Sequence, residues 1–405
     1  MATFLQRTQM PQKQSLWSNS QEKLFQFILT KIHNGVLTVQ MPSGTQHIFA
    51  GRENDFHANM RIFSWNAISR MLKSGDIGLA EGYMAGEWTT DDLPALLGLM
   101  AANIKYAEQH VPGLKAARFL DKINLFSNRN NRRGSRRNIS FHYDLGNDFY
   151  QLWLDQSMTY SSALFDQNKT DIHEAQLNKY RRLATDMGIQ KGDHIMEIGC
   201  GWGGFAEFAV TELNCKVTGL TLSQEQLDFA RRRLDKTKYG DQAEFLLCDY
   251  RDISGQFDHV VSIEMMEAVG EEYWSQYFHT IKKLLRPGGR AGIQVITFAD
   301  DRFSRYRKHM DFIQKYIFPG GLLPSDEQFK EHLGKAKLTL EKQLDFGHDY
   351  ARTLAIWQQS FLSKVDEIQN MGFDDKFIKM WLFYLSYCEA GFRQENIDVR
   401  QYVMS

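Results

Sequence analysis

A short glycine-rich stretch near the middle of the sequence constrains the fold more than any other part of it. Apolar residues on either side of Glu197 lead into the run Gly199-Cys-Gly-Trp-Gly-Gly204, and a helical spacing of apolar residues begins at Phe205. This order predicts a buried strand, a tight turn and the start of a helix. Glycine lets the backbone approach a ligand closely and leaves the N–H groups of the helix start exposed to it.

The ligand of this turn can be narrowed from the residues around it. Gly199, Gly201 and Gly204 match G-x-G-x-x-G, which alone is a weak signal. A dinucleotide would require a ribose-binding Asp or Glu about 20 residues later, and the stretch 219–226 has no carboxylate at the predicted strand end. Glu197 instead suits the E-x-G-x-G of S-adenosylmethionine-dependent methyltransferases. We place that ligand ahead of NAD, and a glycine turn without a ligand behind both.

Length and composition exclude several classes of protein. The 405 residues suffice for two domains, each with its own core. With 48 Lys and Arg against 49 Asp and Glu, no overall charge would attract nucleic acid, and we expect no such partner. The four cysteines lack C-x-x-C spacing, so we predict neither a metal site nor a disulfide framework. No signal peptide or long apolar run is visible, which predicts a cytoplasmic protein.

Residues 20–118 are predicted to form a small α+β domain. A helical pattern covers 21–32, alternation in 37–41 and 46–49 around a Pro-Ser-Gly turn predicts a β-hairpin, and Asp91 or Asp92 is positioned to cap the next helix. No catalytic constellation is visible in this part of the sequence. A packing or dimerisation domain, compatible with a homodimer, and a module for an apolar ligand are interpretations of equal weight.

A basic stretch separates this domain from the rest of the protein. Residues 128–137 hold five arginines and no acid. Such a run is either a solvated linker or a site that adheres to anionic lipid headgroups. We take residues 119–139 as the linker and residues 140–405 as the second domain.

The second domain shows strands alternating with helices, which predicts a parallel sheet. After the strand that precedes the glycine run, further strands are predicted at 216–221, 244–248, 257–263 and 290–296. Ser223, with Gln226 three residues later, predicts a capping box at a helix start. Ligands of such sheets bind beyond the carboxyl ends of the strands, so we expect functional side chains just after a strand.

Several ordered motifs resemble the cyclopropane fatty acid synthase (cyclopropane-fatty-acyl-phospholipid synthase) family. They are Tyr160-Ser-Ser-Ala163, the glycine run, the stretch 219–226, Met265-Met-Glu-Ala-Val-Gly270, and the stretches 316–324 and 345–350. The likeness covers roughly residues 140–400, and residues 20–115 are similar, less specifically, to the family's N-terminal lipid-associated domain. The resemblance implies an α/β fold, a seven-stranded Rossmann-like class I methyltransferase domain with a smaller N-terminal α+β domain.

The resemblance also implies a donor site. S-adenosylmethionine would be bound around the ends of the first three strands. The residues assigned to it are Tyr160, Ser161, Glu197, Gly199, Cys200, Gly201, Gly203, Thr221, Ser223, Gln226, Asp249 and Tyr250.

The reaction implied by the resemblance is methyl transfer to the cis double bond of an unsaturated phospholipid acyl chain. The enzyme would associate transiently, as a peripheral protein, with the inner face of the membrane. Attack by the alkene leaves a carbocation, and loss of a proton from the transferred methyl group closes a cyclopropane ring. Aromatic faces stabilise a cation, and the candidates are Tyr143, Tyr316 and Phe318.

In this family the base is a bound bicarbonate, and its cage maps onto Ser162, Glu267, Gln294, Ile296 and Tyr350. Ser162 and Gln294 stand where the family usually has Cys and often has His. Both are expected to donate hydrogen bonds, through a hydroxyl and an amide, without the acid–base capacity of His. Glu264 lies one helical turn before Glu267, and we interpret it as a supporting or surface residue because it does not match the motif.

Four further interpretations stay open. Cys388 matches a cysteine once proposed as catalytic in the family, although its helical apolar surroundings favour a core position. Because Ser162 and Gln294 depart from the family pattern, methylation of the acyl chain without ring closure is an alternative reaction. A lipid-binding protein with a vestigial donor site and a small-molecule methyltransferase are the remaining alternatives.

Overall fold

The computed structural model describes residues 16–110, 134, 135, 138, 145–166, 171–235 and 237–405. The chain divides into two compact units. Unit 1 comprises Met1–Ile123, His309–Phe312 and Val365–Asn396, and unit 2 comprises Asn124–Lys308, Ile313–Lys364 and Ile397–Ser405. Most of the predicted linker 119–139 lies outside the described residues.

Unit 1 begins with a four-stranded sheet and three helices. The elements are α1 (Leu16–Leu29), β1 (Asn34–Gln40), β2 (Gln46–Ala50), β3 (Glu53–Ile62), α2 (Trp65–Met84), β4 (Trp88–Thr89) and α3 (Leu93–His110). The strand order is β2-β1-β3-β4, and β1 pairs with β2 antiparallel, which confirms the predicted hairpin. Asp92 caps α3, since its Oδ1 accepts the N–H of Ala95 at 2.9 Å.

The rest of the protein supplies the larger sheet and its helices. In sequence order these elements are α4 (Asn147–Gln151), α5 (Ile172–Met187), β5 (His194–Ile198), α6 (Gly204–Thr211), β6 (Lys216–Thr221), α7 (Gln224–Asp235), β7 (Ala243–Leu247), β8 (Phe257–Ile263), α8 (Trp274–Leu284), β9 (Leu285–Phe298), α9 (Asp300–Tyr306), α10 (Phe312–Tyr316), α11 (Asp326–Lys335), β10 (Leu340–Asp345), α12 (Gly347–Ser363), α13 (Val365–Asn370), α14 (Asp375–Arg393) and β11 (Ile397–Met404). Of these, α13 and α14 belong to unit 1.

The sheet of unit 2 has the seven strands that the resemblance implied. Their order is β10-β11-β9-β8-β5-β6-β7. The five strands predicted from the sequence are those from β5 to β9, and their mutual pairings are parallel. The last strand, β11, inserts antiparallel between β9 and β10.

Both faces of this sheet are buried, as a parallel sheet requires. On β5, Met196 and Ile198 belong to one apolar cluster and Ile195 to the other. The backbone leaves β5 toward β6 on one side and returns through β8 on the other, so the strand order reverses at β5. A crevice beyond the carboxyl ends of β5 and β8 is therefore the expected ligand site.

Residues 365–396 depart from the predicted domain assignment, which placed them with the sheet of unit 2. They group with unit 1 because α14 packs its apolar side against the helices there: the rings of Phe383 and Tyr83 lie 6.0 Å apart, and Trp381 is fully buried. Among the described residues, no helix combines the length and apolar character needed to cross a membrane.

Candidate active site

A cavity opens beyond the carboxyl ends of β5 and β6 in unit 2. Most of the predicted donor residues line it, namely Tyr160, Ser161, Glu197, Gly199, Cys200, Gly201, Thr221, Gln226 and Tyr250. They come from the loop before α5, the glycine turn and the ends of β6 and β7. Most of these residues lie at or just after the end of a strand, as we expected for functional side chains.

The glycine turn has a left-handed backbone at Gly199 and Gly201, with φ of 84° and 52°. A Cβ at Gly201 would meet no atom within 4 Å, so that side of the turn is open. A Cβ at Gly199 would instead lie 2.8 Å from the Cγ of Met265. The lack of a side chain at Gly199 thus permits close packing against Met265. The lack of one at Gly201 leaves space beside the backbone.

Three predicted donor residues have other contacts and do not line the cavity. The Asp249 carboxylate is paired with Arg251, whose Nε lies 2.8 Å from Oδ1 and whose Nη2 lies 2.5 Å from Oδ2. Ser223 caps α7, since its Oγ accepts the N–H of Gln226 at 3.3 Å. A Cβ on Gly203 would point at Ala230 of α7, 3.1 Å away. These residues shape the loops that border the cavity.

The cavity fits S-adenosylmethionine by the chemistry of its walls. The Oε2 of Glu197 and the hydroxyl of Tyr250 are buried and have no hydrogen-bond partner in the described part of the protein. Burial raises the pKa of Glu197 well above its ordinary value. A ligand with ammonium and hydroxyl groups satisfies such atoms. The side-chain hydroxyl of Thr221 donates to Gln226 Oε1 at 2.9 Å, which ties the β6 end to α7 and replaces one half of the predicted capping box.

Glu264 occupies the centre of the predicted anion cage, so its interpretation as a supporting or surface residue was wrong. It follows β8 directly and lines the same cavity as the donor residues. Its Oε1 accepts the backbone N–H of Ser162 at 2.9 Å and the amide of Gln294 at 2.8 Å. Its Oε2 accepts the hydroxyl of Tyr350 at 2.7 Å. Burial raises the pKa of Glu264, whereas Lys179 and the three donors act in the opposite direction.

Glu267 has a different environment, in the 3-10 turn Met266–Ala268. Its Oε1 accepts the backbone N–H of Ile296 at 2.7 Å, and its Oε2 is buried without a partner among the described residues. Burial, followed by the charge of Glu264, raises the pKa of Glu267 to about 8. At neutral pH Glu267 therefore holds a proton. The structure thus brings the predicted cage residues together around two carboxyl groups.

The hydroxyl of Ser162 does not take the role predicted for it. It donates to the backbone carbonyl of Ala163 at 2.9 Å, and the backbone N–H of Ser162 faces Glu264 instead. The next residue along, Ala163, is anchored to α12 because its N–H donates to the hydroxyl of Thr353 at 3.1 Å. Ser162 thus lies at the predicted cage, but it donates a hydrogen bond there through its backbone N–H and not through its hydroxyl.

Sequence reasoning missed a buried lysine whose charge acts on Glu264. Lys179 of α5 is fully buried and donates to the hydroxyl of Ser161 at 2.6 Å. Burial lowers the pKa of Lys179, while the charges of Glu264 and Asp155 raise it. No local signal marks this lysine, because it lies within an ordinary amphipathic helix. The available signal for Glu264 was its place directly after a buried strand.

Aromatic rings adjoin the cavity, although they are not the ones predicted. Tyr160 lines the cavity, and its ring lies 5.6 Å from Tyr150 and 5.4 Å from Trp357. The ring of Tyr350 lies 6.2 Å from Trp357. This group, which we call the aromatic wall (Tyr150, Tyr160, Tyr350 and Trp357), connects the donor cavity with the hydroxyl that contacts Glu264.

The predicted aromatic candidates toward a cation were Tyr143, Tyr316 and Phe318. Tyr143 lies outside the described residues. Tyr316 is the last residue of α10, and Phe318 lies in the loop that follows. This loop runs beside Glu267: the N–H of Leu322 donates to the carbonyl of Glu267 at 2.9 Å, and Gly321 N–H donates to Phe318 O at 3.0 Å. Their role toward a cation stays a prediction.

Cys388 lies on α14 in unit 1, whereas the two acids lie in unit 2. Burial, with a smaller contribution from Asp311, raises the pKa of its thiol far above the ordinary value. A thiol that stays protonated is neither a nucleophile nor a base. Its surroundings therefore give no support to a direct catalytic role.

Comparisons with known proteins agree on one group of relatives. Residues 130–402 match the family described as mycolic acid cyclopropane synthetase. The tuberculostearic acid methyltransferase UfaA1 of Mycobacterium tuberculosis is 39% identical over 352 residues, which cover 84% of this chain and 81% of that protein. The cyclopropane-fatty-acyl-phospholipid synthase of Escherichia coli K12 is 31% identical over 354 residues, or 86% of this chain and 88% of that one. Among solved structures, the mycolic acid cyclopropane synthase CmaA1 complexed with SAH and CTAB has a TM-score of 0.62 at 29% identity, covering 66% of this chain and 97% of its own.

Proposed function

Because this chain belongs to the mycolic acid cyclopropane synthetase family, we propose that it transfers a one-carbon unit to the cis double bond of unsaturated phospholipid acyl chains and forms cyclopropane fatty acids. It is an S-adenosylmethionine-dependent methyltransferase with the seven-stranded class I fold. The observation that carries the proposal is the position of Glu264, a buried acid that borders the donor cavity. Methyl transfer to an alkene leaves a cation that must lose a proton, and a buried acid beside the donor cavity can accept that proton.

The methyl donor would be bound by the cavity lining, and S-adenosylmethionine supplies an electrophilic methyl group there. The protein itself supplies three other requirements. Tyr160, the member of the aromatic wall that lines the cavity, offers a π face to a cation on the acyl substrate. Buried, mostly apolar surroundings keep water from capturing that cation. An anion beside the cavity accepts the proton that must be lost.

Bicarbonate, which the resemblance offers as that anion, does not fit the site. The donors expected to hold it are already paired with protein carboxylates: three with Glu264 and the N–H of Ile296 with Glu267. A further anion here would be placed beside two acids without the donors that should bind it.

A second product is favoured by one specific similarity. A protein named as a tuberculostearic acid methyltransferase shares more identity with this chain than the cyclopropane-fatty-acyl-phospholipid synthase of E. coli does. On that basis methylation of an acyl carbon without ring closure is the alternative. The two products differ in how the acyl cation reacts before and during the loss of its proton.

Product analysis tests the proposal. Vesicles of cis-unsaturated phospholipid are incubated with the enzyme and ¹³C-methyl-labelled donor, and the extracted acyl chains are examined by mass spectrometry and proton NMR. Cyclopropane formation gives one added carbon, high-field ring protons and no olefinic signal. A methyl-branched or methylene-substituted product would establish the alternative. Donor binding without label in any lipid would indicate a lipid-binding protein that has lost catalysis, and transfer indifferent to vesicles would indicate a small-molecule methyltransferase.

For access to phospholipid we propose a surface on unit 1. Leu24, Phe27 and Ile48 are large apolar side chains with exposed fractions of 50%, 48% and 68%. Their elements adjoin, since Gln26 Nε2 of α1 lies 3.1 Å from His47 Nε2 of β2. Lys31 places its ammonium 5.0 Å from the ring centre of Phe27 and adds a positive charge suited to anionic headgroups. This arrangement supports the proposal of peripheral contact with a membrane.

A further inference from the structure

The carboxylate of Glu264 stands where the resemblance placed a free anion. The backbone of Ser162, the amide of Gln294 and the hydroxyl of Tyr350 donate to it at 2.9, 2.8 and 2.7 Å. A carboxylate and a bicarbonate present a similar planar pair of oxygen atoms. The same set of donors can therefore hold either one, and in this protein it holds a side chain.

We propose that Glu264 is the catalytic base, so that this enzyme carries in its own sequence the anion that would otherwise be taken from solution. The inference rests on the proposed function, because a base is needed once a cation forms on the acyl substrate. Glu264 borders the same space as Gly199 and Gly201 of the glycine turn. It is thus next to the volume in which the methyl group is transferred.

The backbone at Glu264 supports a specific need for this side chain. Its φ is 50°, in the left-handed region that most residues other than glycine avoid. Its N–H donates to the carbonyl of Gln294 at 2.8 Å, which holds the conformation. Glycine would adopt this conformation without strain. The presence of a glutamate here despite the strain indicates that its carboxylate has a function.

The charges around Glu264 suit a base. Burial raises the pKa of Glu264 and Lys179 lowers it, while Tyr350, Gln294 and Ser162 donate to the ionised form. The neighbouring Glu267 is protonated at neutral pH because its pKa is raised to about 8. Of the two acids, Glu264 has the larger number of hydrogen-bond donors, and these favour its ionised form over that of Glu267. Asp155 is the other charged group that acts on Lys179.

The step balances without any further reactant. The π pair of the acyl double bond forms the new bond to the methyl carbon, and the carbon–sulfur pair leaves with the sulfur. The neighbouring acyl carbon becomes a cation. Glu264 then removes a proton from the new methyl group, and the electron pair of that C–H bond closes the ring. Removal of a proton from the next acyl carbon would instead give a methyl-branched alkene. A 1,2-hydride shift to the cation, followed by loss of a proton from the new methyl group, would give a methylene-substituted chain.

The test replaces the built-in anion with a diffusible one. Glu264→Gly removes the carboxylate, suits the backbone and leaves the three donors in place. In carbon-dioxide-free buffer we expect wild-type turnover to be unchanged and that of Glu264→Gly to fall by about a hundredfold or more. Added bicarbonate or formate should restore the glycine variant. Glu264→Gln fills the space with an amide and should stay inactive under both conditions, and the exposed Glu244→Gln should behave as wild type.

A binding readout separates this inference from the proposed function. ¹³C-bicarbonate, followed by NMR line broadening, should bind Glu264→Gly and should not bind the wild type. This measurement needs no lipid acceptor, so it remains decisive if wild type methylates no unsaturated phospholipid. Two outcomes would overturn the inference: wild-type turnover that requires bicarbonate, or a Glu264→Gly enzyme that is fully active without any added anion.

Discussion

Gln401 donates its amide hydrogen to the side-chain oxygen of Gln294, with 3.0 Å between Nε2 and Oε1. The two residues face each other across the antiparallel pair of β9 and β11. Because the Gln294 oxygen accepts from Gln401, its NH2 group is directed to Glu264, which it contacts at 2.8 Å. A residue on the last strand thus decides which end of the Gln294 amide meets the proposed base.

Replacing Gln401 with leucine should expose the importance of this contact. Both glutamines are almost fully buried, so the Gln294 oxygen would lose its partner where water cannot replace it. We expect a loss of about 1–3 kcal/mol of unfolding free energy and slower turnover with unchanged donor affinity. Urea denaturation, kinetics and calorimetry with S-adenosylhomocysteine measure these quantities. The exposed Gln343→Leu on β10 is the control, and equal stability of the two variants would show that Gln294 needs no such support.

Glu267→Gln should change how stability depends on pH. The folded pKa of about 8 lies above the ordinary value of 4.5, so between these values the unfolded state loses a proton that the folded state keeps. Stability due to this group is present at low pH and is lost as pH rises, by up to about 1.4 kcal/mol per pH unit. The glutamine variant lacks this loss. Its stability relative to wild type should increase from about pH 5 to about pH 8 in denaturation series, and parallel curves would contradict the buried, protonated state of Glu267.

Lys179→Met should move the pH profile of turnover. The positive charge of Lys179 lowers the pKa of Glu264, so its removal raises that pKa. A base works only when deprotonated, and the acidic limb of the kcat profile should therefore shift to higher pH, by about one unit. Donor affinity, measured at each pH, separates this effect from a disturbed cavity. A profile that keeps its acidic limb would mean that Lys179 has only a structural role.

Gly201→Leu should remove donor binding. The side chain would extend into the open side of the glycine turn, where a Cβ meets no atom within 4 Å. We expect the affinity for S-adenosylhomocysteine to fall by about a hundredfold or more, equivalent to about 3 kcal/mol. Gly288→Leu is the matched control, because Gly288 also has a positive φ and no neighbour within 4 Å of a Cβ. Retained affinity in Gly201→Leu would remove the glycine turn from the donor site.

Charged substitutions at Phe27 and Ile48 should weaken attachment to lipid. Both side chains are about half or more exposed, and a carboxylate there would oppose burial in the interface and repel anionic headgroups. The double variant Phe27→Asp/Ile48→Asp should sediment less with vesicles of anionic phospholipid while binding the donor normally. Met371→Asp, on another exposed apolar residue of unit 1, serves as the control. Equal sedimentation of wild type and both variants would place the lipid contact elsewhere.

The strands of the catalytic unit could be predicted because their signals are local. The predicted strands 216–221 and 257–263 coincide with β6 and β8. The position of β11 could not be predicted, since it depends on pairing between residues such as Gln294 and Gln401, which are 107 positions apart. The grouping of α14 with unit 1 could not be predicted either, because it depends on packing against residues far away in the sequence. The periodicity of apolar residues in a helix does not specify which distant helix it packs against.

The site was predicted as a set of residues, but its centre was misplaced. Motif matching selected Glu267 and treated Glu264 as a neighbour one helical turn away. The backbone at Glu264 is not helical, with φ of 50°, so the two acids have different partners. The donors to Glu264 from Ser162 and Tyr350 lie 102 and 86 positions away in the sequence. Only the folded sheet brings them together, and no spacing rule could have indicated it.

The close packing of Gly199 against Met265 joins the two halves of the reaction. Met265 follows Glu264 directly, and its side chain would lie only 2.8 Å from a Cβ at Gly199. A ligand that shifts the glycine turn should for this reason also shift Met265 and, with it, the adjoining proposed base. An inhibitor that displaces the glycine turn would disable deprotonation as well as methyl delivery, without ever touching the hydrocarbon substrate.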